Sequence, residues 1–435
     1  MNDYTREAIL DLVEEEDVEF IRLQFTDMFG SLKNIAIPSS KLEKALNNQC
    51  RIDVSSFSDL YRSEEEDMYL HPDLSTFTIL PWRPQKGKVA RFICDIYKED
   101  GTPYEENPRY ILKKVIEKAK AGGYTMMVNP ECEFFLFHTD EDGMPTTLTH
   151  EMAGYLDTSP VDLGENARRD IVLTLEEMGY DVASSHHEIA PAQHEIDFEM
   201  ADALDAADKL MTFKVAVRTI AKRHGLHATF MPKPKNGVNG SGMHVNMMLY
   251  KDGKNVMTGS KEENYLSREG EAFMAGILSH IKGMTAICNP LVNSYKRLVP
   301  GFEAPSDVNW SFKQRTALMK VYAAAGKETS IELRSPDPSS NPYLVFAYCL
   351  AAGLEGIEKG LRAPVAMCDC KKEQCGETLP ANLDEALTEL AKDQLFREVT
   401  GDVMMKQYLA AKKEEWNNYL GQVSEWEIKQ YLYRI

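Results

Sequence analysis

The sequence of 435 residues has no apolar run near the roughly 20 residues that a membrane-spanning helix requires. Its first ten residues are too polar for a signal peptide. Only 8 cysteines are present, which is too few for a disulfide framework in a chain of this length. These absences argue against a membrane-spanning or disulfide-stabilised secreted protein, and they predict a cytoplasmic one.

Basic charge is also scarce, because 49 Lys and Arg face 68 Asp and Glu, giving a formal net charge of −19. An acidic protein is poorly suited to bind nucleic acid or an anionic membrane. Internal repeats and low-complexity segments are absent. The 43% hydrophobic and 27% charged fractions are those of a globular protein with room for two or three domains.

The pattern of apolar residues predicts an α+β protein of two domains, residues 1–105 and 106–435. In the smaller domain we predict a helix at 5–15 and strands at 18–25 and 89–97, with a polar, irregular segment at 51–73. In the larger domain, strands are predicted near 126–137, 181–198, 226–231, 243–250 and 330–334. Helices are predicted near 164–178, 201–223, 264–281, 342–359 and 382–419. This layout favours a mainly antiparallel sheet backed by helices.

Titratable side chains are concentrated between Asp181 and Met200, a stretch typical of two short strands joined by a turn at Pro191. The titratable residues of the two strands are His186, His187, Glu188, His194, Glu195 and Asp197. Alternate strand residues share a face, so several of these side chains would meet. Because buried ionised groups need partners of opposite charge, the stretch points to a metal ion.

Two further motifs add acidic and imidazole side chains. Glu131 and Glu133 lie two apart on a predicted strand and face the same side, where like charges destabilise each other unless something neutralises them. The glycine-rich segment Gly237–Asn246 permits close approach of the backbone to a ligand and leads His244 into a strand. It is not a Walker phosphate loop, because no Gly-Lys-Ser/Thr follows.

Two other motifs combine acidic with basic residues. Tyr295–Pro305 is a loop constrained by proline and glycine, with Arg297 and Glu303 near its ends, and it suits a mobile flap. Further along, Glu332 and Arg334 alternate on one face of a strand, so a metal ligand and a guanidinium group would lie side by side.

The motifs together offer five carboxylates and one imidazole as metal ligands, namely Glu131, Glu133, Glu188, Glu195, His244 and Glu332. Oxygen-dominated ligation favours Mg²⁺ or Mn²⁺ over zinc or iron. That much negative charge suits two or three divalent ions acting on a nucleotide polyphosphate. Cys368, Cys370 and Cys375 lack a second ligand pair, so incidental thiols are favoured over a zinc site.

In this order and at these spacings, the motifs resemble type I glutamine synthetase over essentially the whole chain. The most specific stretches are 186–198, 237–244 and 297–305. The resemblance implies a glutamate–ammonia ligase that condenses glutamate with ammonium, using ATP, through γ-glutamyl phosphate. It also implies a cytoplasmic dodecamer of two stacked hexamers with active sites between subunits. The β-grasp-like N-terminal domain would contribute to the neighbour's site, and a nitrogen-regulatory protein would be one further partner.

The resemblance further assigns roles to individual residues. One metal site would use Glu133, Glu188 and Glu195, and the other would use Glu131, His244 and Glu332. Glutamate would contact Asn239, Gly240, Arg297 and Arg334. The ammonium site would use Asp53, Ser56 and Tyr155, with Asp53 helping to deprotonate ammonium. Arg315 would stabilise the transferring phosphoryl group and contact ATP with Lys320, and Glu303 would shield the intermediate from water.

Several nucleotide-facing positions depart from the family pattern. A glutamate is replaced by Ala183, a serine by Met248, and arginines by Ser330 and by Lys320, the first residue of the family's Arg-Ile-Pro. Because lysine cannot make the bidentate phosphate contact of arginine, altered ATP binding is expected. The segment 364–379 contains no tyrosine, which favours the subgroup that is not adenylylated.

Three functions stay open at this point. The first is a glutamate–ammonia ligase that makes glutamine. The second is a γ-glutamyl ligase for another amine, against which Asp53, Ser56, Tyr155 and Glu303 count. The third is a catalytically weakened paralogue that binds glutamate or glutamine as a regulatory or structural subunit, and the four nucleotide-side replacements support it.

Overall fold

The computed structural model describes residues 4–53, 67–83, 85–367 and 377–435. Ser56 and the cysteines Cys368, Cys370 and Cys375 lie outside these residues. Among the described helices, none is both long and apolar enough to cross a membrane.

The N-terminal part is built on a five-stranded sheet with the order β2-β1-β5-β4-β3. Its elements are α1 (Arg6–Glu15), β1 (Val18–Thr26), β2 (Leu32–Pro38), α2 (Leu42–Leu46), β3 (Cys50–Asp53), β4 (Asp67–Ile79) and β5 (Lys88–Lys98). β1 pairs with β5 in parallel, and the other neighbours are antiparallel. The Thr5 side chain accepts a hydrogen bond from the amide of Ala8 and so caps α1, which buries Ile9 and Val13 on the sheet.

The described ends of the interval 51–73 form strands, so the prediction of an irregular segment there is wrong. β3 and β4 occupy these ends, and β4 pairs with β5 on both sides of a register shift between Asp73 and Thr78. At the shift, the Asp73 carboxylate accepts a hydrogen bond from the amide of Ser75. Pro72 and this turn interrupt the alternation that would identify a strand, because proline is confined to edges and irregularities of sheets.

The larger part is built on a ten-stranded sheet with the path β13-β14-β15-β11-β6-β8-β7, to which β9, β10 and β12 are attached. Its strands are β6 (Tyr124–His138), β7 (Val182–His187), β8 (Gln193–Phe198), β9 (Ala201–Asp202), β10 (Leu226–Thr229), β11 (Met243–Lys251), β12 (Lys254–Asn255), β13 (Trp310–Ser311), β14 (Met319–Tyr322) and β15 (Ser330–Leu333). Its strand pairs are antiparallel except β13 with β14. The predicted α+β class with a mainly antiparallel sheet is therefore confirmed.

The larger part also contains helices, most of which pack against this sheet or against one another. They are α3 (Pro108–Ala121), α4 (Glu165–Glu177), α5 (Ala203–Arg223), α6 (Arg268–Cys288), α7 (Pro342–Glu358), α8 (Leu383–Lys392), α9 (Gln394–Leu420) and α10 (Glu425–Tyr431). Ser267 caps α6, which therefore begins later than predicted. Asp393 caps α9 and divides the single helix predicted at 382–419. α6 and α7 pack backbone to backbone, since a Cβ on Gly276 would lie 2.1 Å from the carbonyl oxygen of Ala352.

A buried arginine joins the two parts. The Arg109 side chain, on α3, is 2% exposed, and its Nη1 lies 2.9 Å from Asp95 Oδ1 of β5. Its Nη2 lies 2.7 Å from Asp73 Oδ2 of β4 and 2.8 Å from Asp208 Oδ2 of α5. One guanidinium group therefore links the small sheet to the helical layer of the larger part. The domain bounds 1–105 and 106–435 stay a prediction.

Candidate active site

The β7–β8 hairpin sends its titratable residues to opposite sides of the large sheet. The strands pair with the predicted turn between them, placing His186 opposite Glu195 and His187 opposite His194. Because neighbouring strand residues alternate between faces, His186 and Glu195 point to one side and His187 and His194 to the other. We call these sides the front and the back of the hairpin.

The front forms a cleft of about 280 Å³. Its lining residues are Glu131, Glu133, Tyr155, His186, Glu188, Ile189, Glu195, Asp197, His244, Glu303, Arg315, Lys320 and Arg334. Glu332 is fully buried beside it, with Oε1 2.6 Å from Arg334 Nη1 and 3.3 Å from His244 Nδ1. The six predicted metal ligands are thus brought to one place. A larger cavity of about 670 Å³ lies between α3 and α5 and is lined by none of the predicted site residues.

Three overlapping groups on the front could each hold a metal ion, with ligand atoms within 4.8 Å of one another. They are Glu131, His244 and Glu332; Glu133, Glu195 and His244; and His186, Glu188 and Glu195. The first group matches one implied ligand set. The other set is divided, because Glu188 groups with His186, whose Nδ1 is 3.4 Å from Glu188 Oε1. His186 is therefore a site residue that the ligand prediction missed.

Two of the front carboxylates, Glu133 and Glu195, are buried among other carboxylates. Burial and the negative charge of Glu188 raise the pKa of Glu133 to about 7. Burial and the neighbouring Glu133 and Asp197 raise the pKa of Glu195 well above its usual value. Glu131 differs, because hydrogen bonds from His244 and Asn246 outweigh burial and lower its pKa to about 2. A divalent cation would stabilise the ionised form of the raised groups, so the donor set fits such a metal.

Two neutral side chains orient these carboxylates, and sequence reasoning missed both. Gln193 Nε2 donates to Glu133 Oε2 at 2.7 Å, and Asn246 Nδ2 donates to Glu131 Oε1 at 2.7 Å. Gln193 lies two residues before Glu195 and Asn246 two residues after His244, so each shares a strand face with a predicted ligand. That spacing is the signal that could have identified them.

The glycine loop makes room for the basic side of the cleft. A Cβ on Gly242 would lie 2.5 Å from Arg297 Nη2 and 2.9 Å from His244 Nε2, so a side chain would displace one of them. The Arg297 guanidinium is 3% exposed and donates to the carbonyl of Ser335 at 2.7 Å. Gly240 is buried, and its carbonyl accepts from Gln193 Nε2 at 3.1 Å.

The predicted flap lies over the same loop. Glu303 is exposed, lines the cleft and has a φ of 56°, a left-handed conformation that is uncommon outside glycine. Beside it, the Lys233 ammonium lies 3.7 Å from the centre of the Phe302 ring and donates to the carbonyl of Val238. Lys233, which sequence reasoning missed, thus links the flap to the glycine loop.

The remaining predicted residues lie at different places. Tyr155 is half exposed in the cleft, with its ring centre 5.7 Å from that of His186. Arg315 is exposed in the cleft, and Asn239 is half-buried in the glycine loop. Asp53 ends the edge strand β3 of the small sheet and does not line this cleft.

The back of the hairpin holds a second titratable cluster, which consists of Glu151, Asp162, Arg168, His187 and His194. Arg168 Nη1 lies 2.8 Å from Asp162 Oδ2 and 2.9 Å from His194 Nδ1. Although the four other members are close enough to hold a metal ion, the guanidinium already supplies the positive charge. The second carboxylate, Glu151, faces His187, whose pKa is raised by their hydrogen bond in spite of burial, so each back carboxylate has a basic partner.

Glu151 is the carboxylate at the centre of this back cluster. Its Oε1 accepts from His187 Nε2 at 2.8 Å and from the amide of Ala192, and its Oε2 accepts from the amide of Leu163 at 2.8 Å. These hydrogen bonds outweigh burial and lower the pKa of Glu151 to about 2. Glu151 thereby fastens the start of the loop that carries Tyr155 to the hairpin and also joins the two ends of this loop.

Comparison with known proteins identifies the family. Residues 105–431 match the family model described as "Glutamine synthetase, catalytic domain", and residues 17–99 match "Glutamine synthetase, beta-Grasp domain". A glutamine synthetase of Clostridium saccharobutylicum is 56% identical over 440 residues, covering 99% of each chain. One of Staphylococcus aureus is 49% identical over 438 residues, covering 99% of this chain and 98% of its own.

A solved structure described as "GmaS/ADP complex-Conformation 1" matches with a TM-score of 0.88 at 31% identity, covering 97% of this chain and 99% of its own. The full-length similarity to glutamine synthetases does not favour a weakened paralogue or a ligase for another amine. The chain therefore belongs to the glutamine synthetase family and is an enzyme that makes glutamine in an ATP-dependent reaction.

Proposed function

We propose that the front cleft joins ammonium to the γ-carboxyl group of glutamate through γ-glutamyl phosphate. A γ-carboxylate oxygen would attack the γ-phosphorus of ATP and release ADP, and ammonia would then attack the acyl carbon and release phosphate. The observation that carries this proposal is the contact of a carboxylate cluster with basic groups, seen in the 2.6 Å separation of Glu332 Oε1 and Arg334 Nη1. One side of the cleft suits cations and the other suits the carboxylate of a substrate.

The carboxylates would hold two or three Mg²⁺ or Mn²⁺ ions. Glu131, His244 and Glu332 would hold one ion, and Glu133, Glu188 and Glu195 another. When bound, these ions offset the negative charge of the phosphates and polarise the phosphoryl group. The raised pKa values of Glu133 and Glu195 support this assignment.

The basic residues would position the two larger substrates. Asn239, Gly240, Arg297 and Arg334 would bind glutamate, since guanidinium groups pair well with carboxylates. Arg315 would stabilise the transferring phosphoryl group, and Lys320 would contact ATP beside it. Glu303, in the flap, would cover the acyl phosphate and keep water from it.

Asp53 supports a site shared between subunits. We propose that Asp53 of a neighbouring subunit, with Ser56 and Tyr155, forms the ammonium site and accepts the proton of ammonium. A dodecamer of two stacked hexamers would bring that edge to the cleft. The proposed assembly is cytoplasmic, binds neither membrane nor nucleic acid and is open to a nitrogen-regulatory protein.

Phosphate release from ATP tests the reaction. We expect release to require glutamate, ammonium and Mg²⁺ together, with equal formation of glutamine. Arg315→Ala should lower kcat strongly, because a phosphoryl-stabilising arginine is worth about 10³-fold or more. Lys313→Ala is the matched control, since Lys313 is exposed two residues away and does not line the cleft. The proposal would be overturned if both variants lost kcat equally, or if phosphate release did not depend on ammonium.

A further inference from the structure

The hydroxyl of Tyr322 connects a lysine to a predicted metal ligand. Lys320 Nζ donates to Tyr322 Oη at 2.8 Å, and this hydroxyl donates to Glu332 Oε2 at 2.9 Å. The Lys320 ammonium also lies 4.2 Å from the centre of the Tyr322 ring. A donor that itself accepts a hydrogen bond from a cation is strengthened, so the phenol should hold the carboxylate firmly.

Strand register places the phenol within reach of Glu332. In the β14–β15 pair, Lys320 is opposite Glu332 and Tyr322 is opposite Ser330. Tyr322 is therefore a diagonal neighbour of Glu332, a separation that aromatic side chains span.

Both oxygens of Glu332 thus have hydrogen-bonding or ionic partners, and of these only Tyr322 does not line the cleft. Glu332 Oε2 accepts a hydrogen bond from the Tyr322 hydroxyl. Glu332 Oε1 accepts one from Arg334 Nη1 at 2.6 Å and lies 3.3 Å from His244 Nδ1. Glu332 is fully buried, so the carboxylate has few other directions in which to turn. Outer hydrogen bonds to a metal-binding carboxylate set its orientation and its affinity for the ion.

We propose that Tyr322 is a positioning residue for the metal held by Glu131, His244 and Glu332, acting together with Lys320. The inference rests on the metal assignment of the proposed function. It predicts an unequal effect: removal of the hydroxyl weakens this site and leaves the site of Glu133 and Glu195 unchanged. If Tyr322 only filled space, loss of its hydroxyl would not change the metal affinity of one site while leaving that of the other unchanged.

The test is Mn²⁺ binding to the purified full-length protein without nucleotide, followed by electron paramagnetic resonance. For Tyr322→Phe we expect the dissociation constant of one Mn²⁺ class to rise about tenfold, the lower end for loss of an outer hydrogen bond, while the other class is unchanged. The Mg²⁺ concentration for half-maximal activity should rise by the same factor, and kcat at saturating Mg²⁺ should return to that of the parent.

Tyr250→Phe is the matched control. Its hydroxyl lies 2.8 Å from Glu328 Oε2, and Glu328 belongs to none of the metal-binding groups among the described residues. This variant should bind both Mn²⁺ classes like the parent. Tyr322 is 40% exposed, so its variant should fold, and thermal unfolding in EDTA verifies this.

Two further variants separate failure of this inference from failure of the metal assignment. Glu131→Gln and Glu332→Gln should each abolish one Mn²⁺ class. If they do and Tyr322→Phe binds like the parent, only the inference is overturned. If neither glutamine variant affects Mn²⁺ binding, the assignment itself is wrong. If Tyr322→Phe weakened Mn²⁺ binding equally at both classes of site, the tyrosine would have only a general structural role and the inference would be overturned.

Discussion

The front and the back of the β7–β8 hairpin use the same residue types with opposite results. On the back, Glu151 and Asp162 are matched by His187 and Arg168, and the pKa of Glu151 falls to about 2. On the front, Glu332 has the partner Arg334, but Glu133 and Glu195 lie among other carboxylates, and the pKa of Glu133 rises to about 7. The two places differ in whether each buried carboxylate has a cationic side chain beside it. A carboxylate with such a partner stabilises the fold, whereas Glu133 and Glu195 suit a cation from solution and lower the stability when none is bound.

The largest effect should come from removing the cation of the back cluster. Arg168→Met leaves the fully buried Asp162 carboxylate without its partner. We expect the free energy of unfolding in urea to fall by about 3–5 kcal/mol. Arg169→Met is the matched control, since the side chain of Arg169 is 69% exposed and its loss should cost about 0.5 kcal/mol or less. Equal losses would show that the back cluster is not charge-matched through Arg168.

On the front, removal of one charged residue should not lower the stability of the metal-free protein. In EDTA, Glu195→Gln should be at least as stable as the parent, because one of several like charges is removed. With Mn²⁺ at a hundred times its dissociation constant, each occupied site should add about 2.7 kcal/mol to the stability of the parent, and the variant should lose most of the contribution of the site that contains Glu195. Calorimetric melting with and without Mn²⁺ measures both. Glu199→Gln, an exposed position four residues further on, should keep the full gain. A variant that is destabilised in EDTA would contradict the contrast between the faces.

A packing change tests the back cluster without altering its charge. A Cβ on Gly164 would lie 2.4 Å from His194 Nε2, and the His194 ring is fully buried. Gly164→Ala should therefore lower the free energy of unfolding by about 1–3 kcal/mol. At Gly154 the nearest atom would be 3.8 Å away, so Gly154→Ala serves as control and should be nearly neutral. If Gly164→Ala and Gly154→Ala lowered the free energy of unfolding by similar amounts, tight packing around His194 would be contradicted.

The smallest effect concerns pH. Glu151 has its pKa lowered from 4.5 to about 2, so the folded chain binds fewer protons than the unfolded chain between these values. Its contribution is therefore complete above about pH 4.5 and declines as pH falls towards 2. Glu151→Gln should cost roughly 1.5 kcal/mol at pH 6, because the amide keeps part of the hydrogen bonding. The difference from the parent should shrink at pH 4 and pH 3 in urea titrations. If the difference in the free energy of unfolding between parent and variant grew as the pH fell, the predicted contribution of Glu151 would be contradicted.

Sequence reasoning predicted the hairpin and the shared faces of the candidate metal ligands within each strand, because both follow from alternation along single strands. The turn at Pro191 and the shared face of Glu131 and Glu133 need no knowledge of other strands. The contacts of Gln193 with Glu133 and of Tyr322 with Glu332 depend on which residues stand beside each other across strands. That register is set by the whole sheet, so no local pattern reports it.

The back cluster was missed for a related reason. His187 and His194 were grouped with the metal-binding stretch, although the pleat turns them away from it. Their partners, Glu151 and Arg168, lie in a loop and a helix earlier in the chain, which spacing alone cannot bring together. Strand β4 was missed because Pro72 breaks its pattern where its pairing shifts.

The contacts of Arg109 bear on how such a protein can evolve. Two of its three aspartate partners, Asp73 and Asp95, belong to the small sheet, and the third, Asp208, belongs to the helical layer. A recombination event that exchanged the small domain would have to bring in both aspartates or leave a buried guanidinium with one of its three carboxylate partners. Exchange of one domain alone would therefore lower stability, and a substitution at any of the four positions would favour a compensating change across the boundary.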